Sequence, residues 1–187
     1  MGLGEQSLKQ PPMKRGSPDD FQTPVEALWP LLPYLRKDWT VWECAAGNGN
    51  LVAELMNNGY DVVASDVKDG KNFLQWRPAR FDCVVTNPPY SLKQEFLERC
   101  YQLGKPFALL LPLTTFETRK RQALFIKHGL QVVFFDRRIN FETPGPGKGE
   151  GGAWFATAWF TWGLQLGRDM TFVRYAHRDQ KCLGDWE

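Results

Sequence analysis

From residue 40 onward, short apolar runs alternate with segments that carry the start and stop signals of helices. This alternation is typical of an α/β protein, in which helices cover both faces of a central sheet. The last long run is apolar on both alternating faces, so we interpret it as a buried strand that pairs antiparallel with the preceding one. The predicted strands are Thr40–Cys44, Asp61–Ser65, Phe81–Thr86, Pro106–Leu113, Leu130–Asp136, Ala153–Trp162 and, at an edge, Met170–Tyr175.

Helix signals lie before and between these runs. A hydroxyl, a proline and a carboxylate at Thr23, Pro24 and Glu26 form the pattern of a helix start, and the prolines that follow keep this helix short. Ser91 and Gln94 have the spacing of a capping box. The predicted helices are one that begins at Thr23, Leu51–Asn57, one from Ser91 to Leu103, and Glu117–Lys127.

The length of 187 residues fits a single domain over residues 21–187, with no separate target-recognition domain. The first 20 residues have few apolar positions and no apolar signal region, so we expect a disordered tail. The composition, 43% hydrophobic and 24% charged, excludes a coiled coil or a wholly disordered chain. No apolar run approaches the roughly 20 residues of a membrane helix. We therefore predict action in the cytoplasm, either of the protein's own cell or, for a virus-encoded protein, of a host.

Basic residues concentrate in the second half of the chain. Residues 91–187 carry 14 Lys and Arg against 10 Asp and Glu, whereas residues 1–90 carry 9 against 11. The basic half suits a polyanion such as nucleic acid, although an excess of this size is also ordinary for a solvated surface. The four cysteines form no CxxC pair and the two histidines lack metal-ligand spacing, so no metal site is predicted.

A glycine-rich turn, ECAAGNGN at residues 43–50, joins the first predicted strand to a helix. Gly47 and Gly49 let the backbone approach a ligand closely. The turn contains neither GxGxxG nor GKS or GKT, which argues against a dinucleotide site or a phosphate-binding loop. Instead, Glu43 and Asp66 stand at the ends of the first two strands, where one carboxylate can bind an amino group and the other a ribose diol. Asp66 alone would equally suit a turn or a helix cap.

Four residues, Asn87, Pro88, Pro89 and Tyr90, directly follow an apolar strand. Prolines fix the backbone and donate no hydrogen bond, so the carbonyl of Pro88 can point into a cleft beside the amide oxygen of Asn87. Two such acceptors suit a planar NH2 group, because bonding both hydrogens frees the nitrogen lone pair for attack. Tyr90 offers a flat face on which a substrate ring can stack. The alternative is a strand-terminating turn with a core tyrosine.

Together these motifs resemble the class I S-adenosylmethionine-dependent methyltransferases that methylate amino groups, especially the DNA adenine-N6 enzymes. The likeness spans residues 21–162, and the cofactor motif precedes the NPPY tetrad, which is the γ-like order. It implies a Rossmann-like fold with a seven-stranded, mostly parallel sheet of order 3-2-1-4-5-7-6 and helices on both faces. The tetrad Asn87, Pro88, Pro89 and Tyr90 matches the family's catalytic motif. The positions that match its cofactor-binding residues are Phe21, Thr23, Pro24, Glu43, Ala45, Gly47, Gly49, Asp66, Asn72 and Phe73.

Three positions depart from the family pattern. Cys44 stands where many relatives have proline, Asn50 where a small residue is frequent, and Asn72 where an aspartate is usual. An amide at position 72 still accepts a hydrogen bond from an adenine amino group, so we expect weaker rather than absent cofactor binding.

The resemblance implies methyl transfer from S-adenosylmethionine to adenine N6 in DNA. An RNA base, guanine N2 or a protein glutamine are alternative acceptors, and a non-catalytic cofactor-binding scaffold subunit is a further alternative. Sequence specificity would come from a few loops, from a separate partner, or hardly at all. A glycine-rich loop, Thr143–Gly152, is expected to close over the substrate. Nucleic-acid contacts are expected from Arg137, Arg138 and Lys148, and from Arg119, Lys120 and Arg121, which also suit a solvated helix face.

Overall fold

The structure is a computed structural model and describes residues 22–141 and 155–175. The predicted tail at residues 1–20, the loop Thr143–Gly152 and the first residues of the strand predicted from Ala153 lie outside the described residues. Each of the seven predicted strands has a counterpart in the structure. These are β1 (Thr40–Glu43), β2 (Asp61–Ala64), β3 (Cys83–Thr86), β4 (Phe107–Pro112), β5 (Gln131–Phe135), β6 (Thr157–Trp162) and β7 (Met170–Val173).

The strands form one mixed sheet in the order β2-β1-β3-β4-β6-β5-β7. Strand β6 is antiparallel to both β4 and β5, and the other neighbouring pairs are parallel. The predicted α/β fold, its seven strands and the antiparallel pairing are thus confirmed. The six strands β2-β1-β3-β4-β6-β5 take the places numbered 2-1-4-5-7-6 in the implied order. Among the described residues no strand lies outside β2, because the connection from β2 to β3 forms a 3₁₀ helix (Val67–Asp69) and turns, and β7 lies at the opposite edge beside β5.

Helices cover both faces of the sheet. They are α1 (Asn50–Asn57), α2 (Lys93–Leu103) and α3 (Arg119–His128), and they match the predicted internal helices to within two residues at each end. Glycines with positive φ follow α2 and α3, as the sequence pattern predicts. Within residues 22–141 and 155–175, no helix is long and apolar enough to cross a bilayer.

The helix predicted to begin at Thr23 is wrong, and α2 begins later than predicted. After Thr23 the chain forms two 3₁₀ helices, Val25–Ala27 and Trp29–Tyr34, and no side chain caps the first of them. Prolines in this segment remove the backbone donors that a longer α-helix requires. Helix α2 begins at Lys93, two residues after the predicted start, because a 3₁₀ turn at Tyr90–Leu92 precedes it.

Two hydrophobic cores lie on opposite faces of the sheet, since successive side chains of a strand point in opposite directions. In β1, Val41 packs in the core that contains α1 and the 3₁₀ segment, whereas Trp42 packs in the core that contains α2. The 3₁₀ segment is tied to the sheet by Trp159 of β6, whose indole Nε1 donates to the carbonyl of Ala27 at 2.7 Å. This contact joins residues that are 132 positions apart.

We expect Trp159→Phe to lower the free energy of unfolding by roughly 1–3 kcal/mol beyond the loss of ring volume, because the buried carbonyl of Ala27 loses its donor. Trp162→Phe is the matched control. Its indole donates to the carbonyl of His128 at 2.8 Å, but this site is only partly buried, so water can replace the donor. Urea unfolding measures both variants, and equal losses would contradict the structural role given to Trp159.

Candidate active site

The carboxyl ends of β1, β2 and β3 border a cavity of about 360 Å³. In open α/β sheets this is the edge at which ligands bind. The lining includes residues of both predicted sets: Thr23, Glu43, Ala45, Gly47, Asp66, Asn72 and Phe73 from the cofactor set, and Asn87 and Pro89 from the tetrad. Pro24, Gly49, Pro88 and Tyr90 are not part of the lining, and Phe21 lies outside the described residues.

The glycine-rich turn is held by hydrogen bonds to its own surroundings. The amide of Gly47 donates to Oδ2 of Asp66, and that of Asn48 donates to Oε1 of Gln22, both at 2.9 Å. The amides with acceptors inside the protein are those of Ala45, Ala46, Gly47, Asn48 and Gly49. A phosphate cradle requires backbone N–H groups that point at the ligand. Because these amides are already bonded, the turn does not form such a cradle.

Gln22 is a cavity residue that no sequence pattern singles out. Its side chain lies over Gly47, where an added Cβ would stand only 2.9 Å from Gln22 Oε1. The backbone of Gly47 also has φ +53°, which L side chains rarely adopt. Position 47 therefore requires glycine both for its conformation and for the space that Gln22 takes.

Glu43 is 1% exposed at the end of β1. Its Oε1 accepts hydrogen bonds from the hydroxyl of Thr86, at the end of β3, and from the amide of Ala45 at 2.9 Å. Burial raises the pKa of Glu43 to about 7, the negative charge of Asp66 adds to the rise, and the two hydrogen bonds oppose it. Thr86 was also not selected from the sequence, because a threonine at a strand end has many ordinary roles.

Asp66 acts both as a turn residue and as part of the cavity wall. Its Oδ1 accepts from the amide of Lys68 and its Oδ2 from Gly47, both at 2.9 Å. Each carboxylate oxygen has a second lone pair, so the side chain keeps acceptor capacity for a ligand. The turn interpretation and the ligand interpretation of Asp66 are thus compatible.

Asn72 and Phe73 border the other side of the cavity. Oδ1 of Asn72 accepts from the amide of Leu74 at 3.0 Å, which shapes the turn that carries Phe73. The ring of Phe73 is nearly fully buried and stacks on Phe96 of α2, with centroids 4.6 Å apart. This part of the cavity therefore has a flat, apolar wall.

Cys44 lies in the cavity wall and is buried. Burial raises the pKa of its thiol well above the ordinary value, with the negative charge of Glu43 as a further cause. The neutral thiol is a poor nucleophile, so Cys44 contributes packing rather than chemistry. In the part of the chain that the structure describes, no cluster of three or more His, Cys, Asp or Glu side chains could hold a metal ion.

The NPPY tetrad follows β3 and turns into α2. Asn87 is partly exposed and borders the cavity, whereas Pro88 is buried. Lys93 of α2 holds the turn, since its Nζ donates to the carbonyl of Tyr90 at 3.0 Å. The tetrad is thus positioned by the strand before it and the helix after it.

Tyr90 does not offer the open flat face expected from the sequence. It is 5% exposed, and its ring packs edge-on against Phe155 and Phe141, with centroids 5.6 and 6.4 Å away. The two phenylalanines stack on each other at 6.2 Å. They lie 51 and 65 positions after Tyr90 in the chain, so no local pattern predicts the contact. Phe141 and Phe155 therefore belong to the candidate site as residues that cover Tyr90.

Arg121 does not contribute to a nucleic-acid surface, contrary to expectation. Its side chain is buried, and its guanidinium donates to the carbonyls of Thr115 at 2.5 Å and Thr114 at 3.3 Å. Burial lowers the pKa of this guanidinium. Arg121 instead fastens the 3₁₀ turn Leu113–Glu117, which follows β4, to helix α3.

The other described basic residues of the predicted set are exposed, and Lys148 lies outside the described residues. Lys120 pairs with Glu98 of α2 at 2.8 Å, and Arg137 lies 3.6 Å from Asp136. Arg119 begins the helix after β4, and Arg137 and Arg138 follow β5. Because β3, β4 and β5 run in the same direction, these residues lie along the same sheet edge as the cavity.

No family model matches the chain, and no curated protein matches its sequence. Among solved structures, the type I restriction-modification system methyltransferase subunit from Streptococcus thermophilus aligns with a TM-score of 0.54 at 16% identity, over 83% of this chain and 47% of that one. A predicted O-methyltransferase from Agrobacterium tumefaciens aligns with a TM-score of 0.50 at 14% identity, over 81% of this chain and 86% of that one. The chain shares the Rossmann-like α/β fold of these two structures. It spans about half the length of the first methyltransferase.

Glu43→Gln is expected to remove a pH dependence of stability in this fold. The folded-state pKa of about 7 lies above the ordinary 4.5, so the contribution of Glu43 to stability is fully present below pH 4.5 and is lost as the pH rises through 7. The pKa difference corresponds to a decline on the order of 3 kcal/mol, which the glutamine variant should lack.

Urea unfolding of the cofactor-free protein at about pH 5 and pH 8 measures this difference. Glu95→Gln, at an exposed position of α2, serves as the control and should keep the decline. If Glu43→Gln and the wild type lose stability in parallel, the pKa of Glu43 is not raised in the folded protein.

Proposed function

We propose that the protein is an S-adenosylmethionine-dependent N-methyltransferase that methylates the N6 amino group of adenine in DNA. One observation carries the proposal: a single cavity is bordered by Glu43 and Asp66 beside the glycine-rich turn and also by Asn87 and Pro89 of the tetrad. A cofactor site and an amine-holding site would thus share one space. Direct group transfer requires this proximity, because donor and acceptor must be aligned in contact.

The polar groups of the cavity fit S-adenosylmethionine better than a ligand with phosphates. The amides of Ala45 to Gly49 are bonded within the protein, so this part of the turn offers no donor to a phosphate. The carboxylates suit the other polar groups of this cofactor: Asp66 would accept from the ribose hydroxyls, and Glu43 lies where a positively charged amino group would be favoured. Asn72 and the turn around the buried Phe73 would border the adenine ring.

In the reaction, the residues of this chain would hold the acceptor amine. When bound, the cofactor supplies an electrophilic methyl group on a positively charged sulfur. The amide oxygen of Asn87 and the carbonyl oxygen of Pro88 would accept the two amine hydrogens and so direct the nitrogen lone pair into the cavity. No base has to act first, because the nitrogen becomes cationic and acidic on attack and then loses its proton.

Three observations favour DNA as the substrate. The NPPY tetrad resembles that of the adenine-N6 enzymes, and a structural neighbour is a methyltransferase subunit of a restriction-modification system. Exposed Arg137 and Arg138 on the cavity edge of the sheet suit a phosphate backbone. Because that neighbour is a subunit, a separate specificity partner is part of the proposal. An RNA base, guanine N2 or a protein glutamine would use the same amine-holding pair.

Tritiated S-adenosylmethionine distinguishes these functions. Incubation with DNA, RNA and host protein should label the DNA, and after digestion the label should elute with N6-methyl-2′-deoxyadenosine. Label in the RNA or protein fraction would move the substrate to one of the alternatives. If calorimetry shows cofactor binding but no fraction is labelled, the protein is a scaffold.

Asn87→Ala is expected to reduce methyl transfer by at least about 100-fold while cofactor affinity stays within about threefold, because the amine loses one of its two acceptors. Asp66→Asn should instead weaken cofactor binding. Asn57→Ala, at an exposed position at the end of α1, is the matched control and should change neither. Radiolabel transfer and calorimetry measure the two effects, and parallel loss of both in Asn87→Ala would refute this division of roles.

The double variant Arg137→Ala with Arg138→Ala should weaken DNA binding with little dependence on sequence. If each arginine neutralises one phosphate, the slope of log affinity against log salt concentration becomes shallower by about 2. The control pair, Arg36→Ala with Lys37→Ala, removes the same charge ahead of β1, at the opposite sheet edge. Fluorescence anisotropy over a salt series measures the slopes, and an unchanged slope would place DNA elsewhere.

A further inference from the structure

Strand β7, at the edge of the sheet, exposes two large apolar side chains. Met170 is 61% exposed and Phe172 is 55% exposed. The ring of Phe172 stacks on that of Phe134 of β5, with centroids 5.3 Å apart and planes 20° from parallel. Adjacent exposed apolar side chains of this kind mark an interaction surface more often than single ones do. We call Phe134, Met170 and Phe172 the β7 aromatic face.

The two sides of β7 differ in burial. Thr171 and Val173 are buried, and Val173 packs in the core that contains α1. Phe134 belongs to the opposite core, so the β7 aromatic face lies on the α2 side of the sheet. Among the described residues, no helix covers Met170 or Phe172 there, since both remain more than half exposed.

Positive charge flanks the β7 aromatic face at both ends of the strand. Arg168 precedes β7 and Arg174 follows it, and both are exposed. Among residues 22–141 and 155–175, the carboxylates nearby are Asp169, which alternation directs to the other face, and Asp136, which accepts from the amide of Tyr175 at 2.9 Å. Exposed rings between arginines fit the bases and phosphates of a nucleic-acid strand, whereas the positive flanks disfavour pairing with a second copy of the same face.

We propose that the β7 aromatic face binds single-stranded DNA, with an unpaired base on Phe172 and phosphates at Arg168 and Arg174. The choice of a nucleic acid over an acidic protein rests on the proposed function. A duplex does not fit this role, because its bases are paired and stacked and present no free face to an exposed ring. Base stacking on aromatic side chains tolerates any sequence.

The face lies within reach of the cavity. Strands β4, β6 and β5 separate β3 from β7, so four strand spacings give a distance on the order of 19 Å across the sheet. Arg137 and Arg138 follow β5 and lie along this path. Grooves that bind single strands take roughly 4–16 nucleotides, which is enough to span this distance. One strand could therefore contact both the tetrad and β7.

Fluorescence anisotropy without cofactor tests the proposal on the full chain. The probe is a labelled single-stranded oligodeoxynucleotide that contains adenine, compared with the same sequence as a duplex. Phe172→Leu keeps an apolar side chain but removes the ring, so it should weaken single-strand binding about tenfold. Phe172→Trp should bind as tightly as the wild type or more tightly. Duplex binding by Phe172→Leu should stay within about twofold of the wild type.

The chain offers a matched pair of controls. Met56, on α1 against the opposite core, is 61% exposed, as is Met170. Met170→Ser should weaken single-strand binding, whereas Met56→Ser should not. If Met170→Ser, Met56→Ser and Phe172→Leu all bind the single strand with equal affinity, the proposal is wrong. Concentration-dependent dimers in sedimentation velocity that disappear in Phe172→Leu would assign the face to a second copy and would also overturn it.

The test separates this inference from the proposed function, because anisotropy requires neither cofactor nor methyl transfer. Loss of single-strand binding in Phe172→Leu would support the β7 aromatic face even in a protein that labels no DNA. If the wild type labels DNA but Phe172→Leu binds the single strand as tightly as the wild type, the proposed methyl transfer is supported and DNA binding by the β7 aromatic face is rejected.

Discussion

Hydrogen bonds between strand ends determine the shape of the cavity. Glu43 at the end of β1 accepts from Thr86 at the end of β3, and Asp66 after β2 accepts from Gly47 in the turn that follows β1. Each carboxylate thus joins segments that the sheet ladder itself no longer connects. The cavity is therefore built on the rigid sheet and its immediate turns, which favours a preformed binding geometry.

Glu43 illustrates the opposition between stability and binding. The pKa of Glu43 is near 7 in the folded protein, so the protein would be more stable with the neutral amide of a glutamine at this position. Packing alone therefore does not explain why a carboxylate is buried here. A positively charged ligand group would compensate the buried charge that the protein alone stabilises with only Thr86 and Ala45. Such a residue is expected where function, rather than folding, selects the side chain.

The elements that local patterns encode were predictable, and the contacts that depend on the tertiary fold were not. Apolar runs and terminal glycines identify all seven strands and α1 to α3, and the glycine-rich turn and NPPY tetrad do border one cavity. Arg121 has the same sequence context as its exposed neighbours, and only the position of the turn before α3 buries it. The cover over Tyr90 and the placement of Gln22 depend on distant segments that carry no signal of their own.

The open side of β7 has a consequence for the solubility of the protein. An edge strand is a template to which another chain can add a strand, and an exposed phenylalanine increases that hazard. Strand β7 is only four residues long, and arginines stand before and after it. Short length and flanking charge are the means by which natural sheets block such addition. The same arginines can therefore act as gatekeepers that keep an aromatic surface accessible to solvent without seeding aggregation.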